Sequence, residues 1–312
     1  MQTHLFDIPV RYSFSGHESF PFRYTWLTKG VQQALHDPAV FSREDATIVL
    51  GVGKNMVRSI RYWCLAMGLL ESPTPGSVRP TRLGEELLGF DGFDPYLEDM
   101  GTLWLLHWLL VRSGELASTW YLAFTRFSHS SFTRQQLVKY LLETASRESP
   151  TTRATESSIR RDVDVFVRTY VASSHNKSLS GTEESYDCPL TELGLLDEEE
   201  TGVISFVYGD HPTLPNAILA FAIADYWEHK RQHQAVLSFE DVLYRPGSPG
   251  AAFKLTENEL VARLEELPDW TGMRFDETAG RRVLMRNDRV VEAPGHWSMN
   301  ILRHYYMSEG EE

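Results

Sequence analysis

The densest group of reactive side chains in the sequence lies near the N-terminus, in the segment FSGHESFPFRYTWLTKG of residues 14–30. It contains His17, Glu18 and Arg23 among aromatic residues. Histidine and glutamate are common general acids and bases, and an arginine can stabilise charge that develops on a phosphate. We therefore consider these three residues candidate catalytic residues. The residues alone leave an alternative open, in which His17 and Arg23 are buried and only complete an aromatic corner.

The segment that follows predicts a helix-turn-helix. Ser42 and Asp45 form a capping-box pattern before a short apolar helix, and residues 51–53 (Gly-Val-Gly) interrupt the periodicity. A second helix is predicted by apolar residues at three- and four-residue spacing, which are Val57, Ile60, Cys64 and Met67. Two helices joined by a glycine-containing turn are typical of a helix-turn-helix, and residues 78–80 predict a short wing strand after it.

The polar residues of the second helix lie off its apolar stripe, and we expect most of them to face outward together. Lysine and arginine neutralise DNA phosphates, while asparagine and arginine also read base edges. The alternative is a solvated helix face that serves protein contacts. The candidate DNA-binding residues are Lys29, Lys54, Asn55, Arg58, Arg61, Tyr62, Arg79, Arg160 and Arg161.

The pattern along the chain predicts a mainly α fold with small β-hairpins, in which winged helix-turn-helix units are joined by a helical middle. The C-terminal third repeats the pattern of a capped helix, at Thr256 and Glu259, followed by a hairpin. Residues 173–202 are interpreted as a long loop of low hydrophobicity. The predicted domains are 1–92 (N-terminal motif and winged helix-turn-helix), 93–172 (helical middle), 173–213 (acidic loop region) and 214–312 (C-terminal helical and winged-helix-like domain).

The composition excludes several classes of protein. Among 312 residues there are two cysteines, so neither a disulfide framework nor a cysteine zinc site is predicted. No apolar run is long enough to span a bilayer, and we expect a cytoplasmic protein without a membrane partner. The net charge of -13 argues against a protein that coats DNA nonspecifically, although it permits a local basic surface.

Three segments together resemble the SspB-like family of bacterial DNA phosphorothioation systems. They are FSGHESFPFRYTWLTKG, LGVGKNMVRSIRYWCLAMGLL and SPGAAFKLTENELVARLEEL, and the resemblance extends over nearly the whole chain. In such systems a cysteine desulfurase mobilises sulfur, an ATP-using enzyme activates the DNA, and the SspB-like component nicks one strand. The resemblance implies a DNA nickase in an anti-phage defence system, with DNA and other phosphorothioation-system proteins as its partners.

The resemblance does not identify the catalytic residues, and its alternative is a non-catalytic DNA-binding adaptor or regulator that recruits a modifying enzyme. A third possibility is a protein-interaction scaffold whose winged helices do not touch DNA. For hydrolysis of a phosphodiester by an acidic protein, we expect dependence on a divalent metal, Mg or Mn, whose ligands stay unknown. We also expect a homodimer, because a lone winged helix covers little DNA.

Overall fold

The computed structural model describes residues 11–150, 154–172, 187–231, 234–278, 280–287 and 296–309. The protein is mainly α-helical with small antiparallel sheets of two or three strands, which confirms the predicted fold class. In the described parts of the chain, no helix is both long and apolar enough to cross a membrane.

The helices begin where the sequence supplies caps or breaks. Thr133 and Thr155 each start a helix with a complete capping box, and Thr256 caps a third. The helices are α1 (Tyr24–His36), α2 (Ala46–Leu50), α3 (Lys54–Ala66), α4 (Arg82–Leu88), α5 (Met100–Arg112), α6 (Ser118–Thr125), α7 (Arg134–Glu148), α8 (Glu156–Tyr170), α9 (Asn216–Lys230), α10 (Phe239–Leu243), α11 (Pro249–Ala252), α12 (Glu257–Glu265) and α13 (Trp297–Glu309).

The strands of the described residues form three small antiparallel sheets. The first pairs β1 with β2, the second has the order β3-β5-β4, and the third has the order β6-β8-β7. Their bounds are β1 (Leu70–Glu71), β2 (Arg79–Pro80), β3 (Ser131–Thr133), β4 (Leu196–Glu198), β5 (Val203–Phe206), β6 (Val236–Ser238), β7 (Met273–Thr278) and β8 (Arg281–Arg286). The predicted C-terminal hairpin is β7 and β8, in which Phe275 pairs with Leu284.

The chain divides into two compact units. Among the described residues, the N-terminal unit comprises 11–123 and 127–207, and the C-terminal unit comprises 124–126 and the residues from 208 onward. In the N-terminal unit, the core includes α5, in which every residue from Gly101 to Val111 is buried. In the C-terminal unit, α9 is buried from Ile218 to Trp227. The predicted division into four domains stays a prediction.

The second and third sheets share one order of elements. β3 is followed by α7, α8 and the hairpin β4-β5, and β5 returns to pair with β3. In the same way β6 precedes α10, α11 and α12, and the hairpin β7-β8 returns so that β8 pairs with β6. The first sheet follows α2 and α3 and lacks the leading strand. The helix pair α7 and α8 thus lies in the predicted helical middle, whereas its hairpin, β4-β5, lies in the predicted acidic loop region of residues 173–213.

Two local predictions were wrong. Ser42 does not cap α2: its hydroxyl donates to the Gly76 carbonyl at 2.6 Å, and the helix begins at Ala46 without a side-chain cap. The predicted loop of residues 173–202 extends too far, because a 3-10 helix (Pro189–Leu193) and β4 lie within it. Burial of Leu190 and its neighbouring leucines, among charged residues that stay exposed, orders this segment despite its low mean hydropathy. Residues 173–186 of that prediction lie outside the described residues.

Candidate nucleic-acid interface and phosphate site

The N-terminal motif folds as a turn that uses unusual backbone conformations. Ser15, Glu18 and Ser19 have φ values of 67°, 50° and 69°, in the left-handed region that residues with a Cβ rarely adopt. Each such residue costs of order 1 kcal/mol, and it persists only where the surrounding contacts hold it. Left-handed residues of this kind cluster at functional sites, so the turn is the first candidate site in the structure.

His17 lies at the centre of this turn and is completely buried. The Ser19 amide donates to its Nδ1 at 3.1 Å, so Nε2 carries the proton and donates to Asp162 Oδ1 at 2.8 Å. The ring stacks on Trp63 with centroids 6.1 Å apart, and Tyr62 and Trp120 meet it edge-on. In this conformation both nitrogens are bonded within the protein, so the geometry gives His17 a positioning role.

The Asp162 carboxylate on α8 accepts hydrogen bonds from two residues of the turn. Besides His17, its Oδ1 accepts from the Ser15 amide, and its Oδ2 accepts from the Thr119 hydroxyl at 2.8 Å. A buried carboxylate is tolerated only when such donors replace its water. Asp162 therefore ties the N-terminal motif to both α8 and α6.

Helix α3 holds the other side of the turn. The buried Ser59 hydroxyl donates to the His17 carbonyl at 3.0 Å, and the Trp63 indole donates to the Phe20 carbonyl at 3.0 Å. The Tyr62 ring lies so close to Gly16 that a Cβ at that position would overlap it. The turn is thus fixed by side chains of three helices that lie far apart in the sequence.

One polar residue of α3 faces the core, which is compatible with the prediction that most of them face outward. Ser59 does not face outward with its polar neighbours, because its hydroxyl is used by the His17 carbonyl inside the core. Tyr62 is half-buried, and its hydroxyl donates to the Leu116 carbonyl at 3.0 Å. The ring of Tyr62 therefore faces the N-terminal turn, and its predicted DNA contact stays a prediction.

The other two candidate catalytic residues lie nearer the surface. The Glu18 side chain is 35% exposed, and its carboxylate lies 3.6 Å from the guanidinium of Arg58. Arg23 is half-buried and packs over the Trp26 ring, with its guanidinium carbon 5.1 Å from the ring centroid. Among His17, Glu18 and Arg23, Glu18 is thus the carboxylate, and it lies at the surface next to Arg58.

The N-terminal end of α3 presents an exposed cationic face. Lys54, Asn55 and Arg58 are exposed, and within the described residues Lys54 and Asn55 make no side-chain hydrogen bond or ion pair. Gly53 precedes the helix without a side-chain cap, so it offers the first amides of α3 no side-chain acceptor. Free helix amides together with lysine and arginine are suited to a phosphate.

The remaining predicted DNA-binding residues have partners within the protein. Lys29 donates to the Leu50 carbonyl at the end of α2, at 3.1 Å. The other contacts are Arg61 with Ser72 (3.4 Å), Arg79 with Glu71 (2.5 Å), Arg160 with Glu156 (2.7 Å) and Arg161 with the Ser157 carbonyl (3.4 Å). Except for Lys29 and Arg61, which are half-buried, these cations are exposed, so their pairing at the surface does not remove them from reach of a ligand.

The structure adds Arg168, which the predicted set of DNA-binding residues does not contain. Its guanidinium donates to the Ser19 carbonyl at 2.7 Å, on the α8 side of the turn. Partial burial lowers the pKa of Arg168 from its ordinary value. A sequence signal exists, because Arg161 and Arg168 are seven residues apart and lie on one face of α8.

The described side chains do not fit a metal site built by the protein alone. No three or more histidine, cysteine, aspartate or glutamate side chains are grouped to hold a metal ion in the described ranges. Both oxygens of Asp162 already accept protein donors, and Glu18 supplies a single carboxylate beside Arg58.

Comparisons with known proteins agree with the family resemblance. A family model described as "Protein of unknown function (DUF4007)" matches residues 14–306. A solved structure described as a magnesium ion-bound SspB crystal structure has a TM-score of 0.83 and 33% identity, and a second SspB crystal structure has a TM-score of 0.82 and 33% identity. Each of these two structural matches covers 94% of this chain and 88% of the SspB chain. No curated protein matches this chain. The chain therefore belongs to the family described as DUF4007 and is an SspB-like protein.

Proposed function

We propose that this protein binds duplex DNA through the exposed N-terminal end of α3 and nicks one strand, as a component of a phosphorothioation-based defence system. The observation that carries the binding proposal is the exposed group of Lys54, Asn55 and Arg58 at an uncapped helix end. A helix that follows a tight turn is the element that helix-turn-helix proteins place in the major groove. The system and its partner proteins are supported by the similarity of the chain to SspB.

Within this proposal, the residues of the turn have different roles. Glu18 acts as the carboxylate that orients or deprotonates the attacking water, because it lies at the surface beside a cation that attracts phosphate. His17 positions Glu18 through the bonds that it makes to Ser19 and Asp162. Arg23, held against Trp26, supplies positive charge for the phosphate.

Metal dependence, winged-helix docking and homodimerisation belong to the proposal as well. The support for magnesium is that one similar structure is described as magnesium ion-bound SspB. The support for a winged helix is the order α2, α3, β1 and β2. Homodimerisation rests on the gain in affinity from two linked DNA sites.

The proposal is tested by conversion of supercoiled plasmid to open circles with magnesium, with manganese and with EDTA. We expect Glu18→Gln to reduce nicking at least a hundredfold, the size of effect typical for loss of a general base. Glu143→Gln, at an exposed glutamate on α7, is the matched control and should nick like the parent. Equal nicking by the parent, Glu18→Gln and a folded His17→Ala variant would contradict the assignment of the turn as the catalytic site.

The second candidate function is a non-catalytic DNA-binding adaptor that recruits a modifying enzyme. The observation that favours it is that both nitrogens of His17 are bonded within the core. An adaptor retains salt-sensitive DNA binding but leaves plasmid supercoiled under every metal condition. The nicking assay together with a gel-shift titration therefore separates the two functions.

A further inference from the structure

We propose that Arg168 on α8 and Arg58 on α3 form a two-arginine clamp that holds one stretch of DNA backbone across the turn at residues 18–19. The inference rests on the proposed DNA binding and deepens it, because it extends the interface to a second helix. It concerns phosphate contacts and is independent of whether the protein cuts the strand.

The first argument is that the two arginines reach adjacent residues of the turn from two different helices. Arg58 lies 3.6 Å from the Glu18 carboxylate, and Arg168 donates to the Ser19 carbonyl at 2.7 Å. Glu18 and Ser19 are neighbours in the chain, with Cα atoms about 3.8 Å apart. The two guanidinium groups thus contact neighbouring residues of one short turn, and both side chains are exposed.

The second argument is that guanidinium groups retain donors after these contacts. Each carries five N–H donors, which suit the geometry of phosphate oxygens. Arg168 uses one nitrogen for Ser19 and its Nε for a 3.4 Å contact with the Asp164 carbonyl. Among the described residues no hydrogen bond of the other terminal nitrogen is found, so its two N–H groups can donate to a phosphate oxygen, while the bond to Ser19 holds the guanidinium group at the turn.

The third argument comes from the repeated order of elements. α3 and α8 are each the last α-helix before a hairpin, and both carry exposed basic residues. The corresponding helix of the C-terminal unit, α12, instead exposes Glu257 and Glu265, and its Arg263 is buried against backbone carbonyls. The chemistry for phosphate is thus found on the two helices that hold the N-terminal turn.

Glu18 is the present partner of Arg58 in this arrangement. A carboxylate close to a phosphate repels it, and Glu18 also competes for the guanidinium group. Glu18→Gln should therefore tighten DNA binding, even though the same substitution should stop nicking if Glu18 is catalytic. Glu18→Gln should then change the two measurements in opposite directions, with tighter DNA binding and slower nicking.

The experiment measures binding of a short fluorescent duplex by anisotropy at several salt concentrations. Arg168→Ala and Arg58→Ala should each weaken binding about tenfold at about 0.1 M salt and reduce the slope of log K against log salt by about one. The matched control is Arg147→Ala on α7, where the side chain is 67% exposed. The control should bind like the parent.

A paired substitution separates charge from the structural bond to Ser19. Arg168→Lys keeps the charge and should retain the parental salt slope, whereas Arg168→Gln keeps a neutral donor and should lose about one unit of slope. If Arg168→Lys and Arg168→Gln both bind DNA like the Arg147→Ala control, the clamp is overturned. It is also overturned if Arg168→Lys and Arg168→Gln weaken binding equally, because a structural role of Arg168 would explain that result. A parent protein that does not bind the duplex overturns the clamp together with the proposed function.

Discussion

Asp162 and Asp164 lie two residues apart on α8 but have opposite environments. Asp162 is buried and accepts from Ser15, His17 and Thr119, whereas the Asp164 side chain is 50% exposed. We expect Asp162→Asn to lower the free energy of unfolding by about 3 kcal/mol, because its amide group faces donors that need an acceptor. Asp164→Asn should change it by less than about 0.5 kcal/mol. Urea unfolding of the two variants measures the difference, and equal midpoints would contradict the role given to Asp162.

Lys254 makes the stability of the C-terminal unit depend on pH. It is 4% exposed and has a φ of 53°, and its ammonium group donates to the Phe124 carbonyl at 2.5 Å. Burial lowers its pKa to about 7, far below the pKa of a lysine in the unfolded chain. Between about pH 7 and pH 10.5 the unfolded state therefore binds more protons, and stability due to this residue rises with pH.

The prediction for Lys254 is a change in that pH dependence. Removing the amine in Lys254→Met should abolish a stability gain of roughly 3 kcal/mol that the parent shows between about pH 7 and pH 9.5. Urea unfolding across this pH range measures the gain. Subtracting the free energy of unfolding of Lys254→Met from that of the parent removes the contribution of the titratable groups that the two proteins share. Parallel curves would show that Lys254 is not neutral in the folded protein.

At the scale of elements, the turn between α2 and α3 contains two glycines, of which only Gly51 has a backbone conformation that favours glycine. Gly51 has a φ of 65°, whereas Gly53 is extended with a φ of -67° and ψ of 158°. A Cβ at either position would have no atom within 4 Å, so the backbone conformation alone distinguishes the two glycines. Left-handed conformation costs a residue with a Cβ about 1 kcal/mol.

The same substitution should therefore have opposite effects at the two positions. Gly51→Ser should lower the free energy of unfolding by about 1 kcal/mol. Gly53→Ser should raise it by a few tenths of a kcal/mol, because serine supplies the missing N-cap of α3. Denaturant midpoints of the two variants check the prediction, and a loss at position 53 as large as at 51 would contradict it.

At this scale, strong periodicity predicted the long helices and the short strand near residues 78–80 was also predicted, whereas β3 and β4 were missed. The capped helix at Thr256 begins where its pattern predicts. β3 and β4 each contain three residues, which is too short for an alternating pattern to be recognised. Their ladders form because β5 lies between them, a pairing across up to 74 residues.

For the whole molecule, the net charge of -13 makes local charge decisive for DNA binding. If Lys54, Arg58 and Arg168 carry the phosphate contacts, the slope of log K against log salt should be about -3. A gel-shift or anisotropy titration from about 50 to 200 mM salt measures it. A flat dependence would favour the scaffold interpretation, in which the basic helices contact protein.

The sequence by itself determined the mainly helical class and the two helices on either side of residues 51–53, and it singled out the motif around His17 as a candidate site. Those features depend on local periodicity, on turn residues and on a dense group of reactive side chains. Which of those side chains are accessible was decided by the tertiary structure. His17 meets Asp162 across 145 residues, and Arg168 meets Ser19 across 149 residues. Such contacts arise when α3, α6 and α8 pack around one turn, and no local pattern specifies that packing.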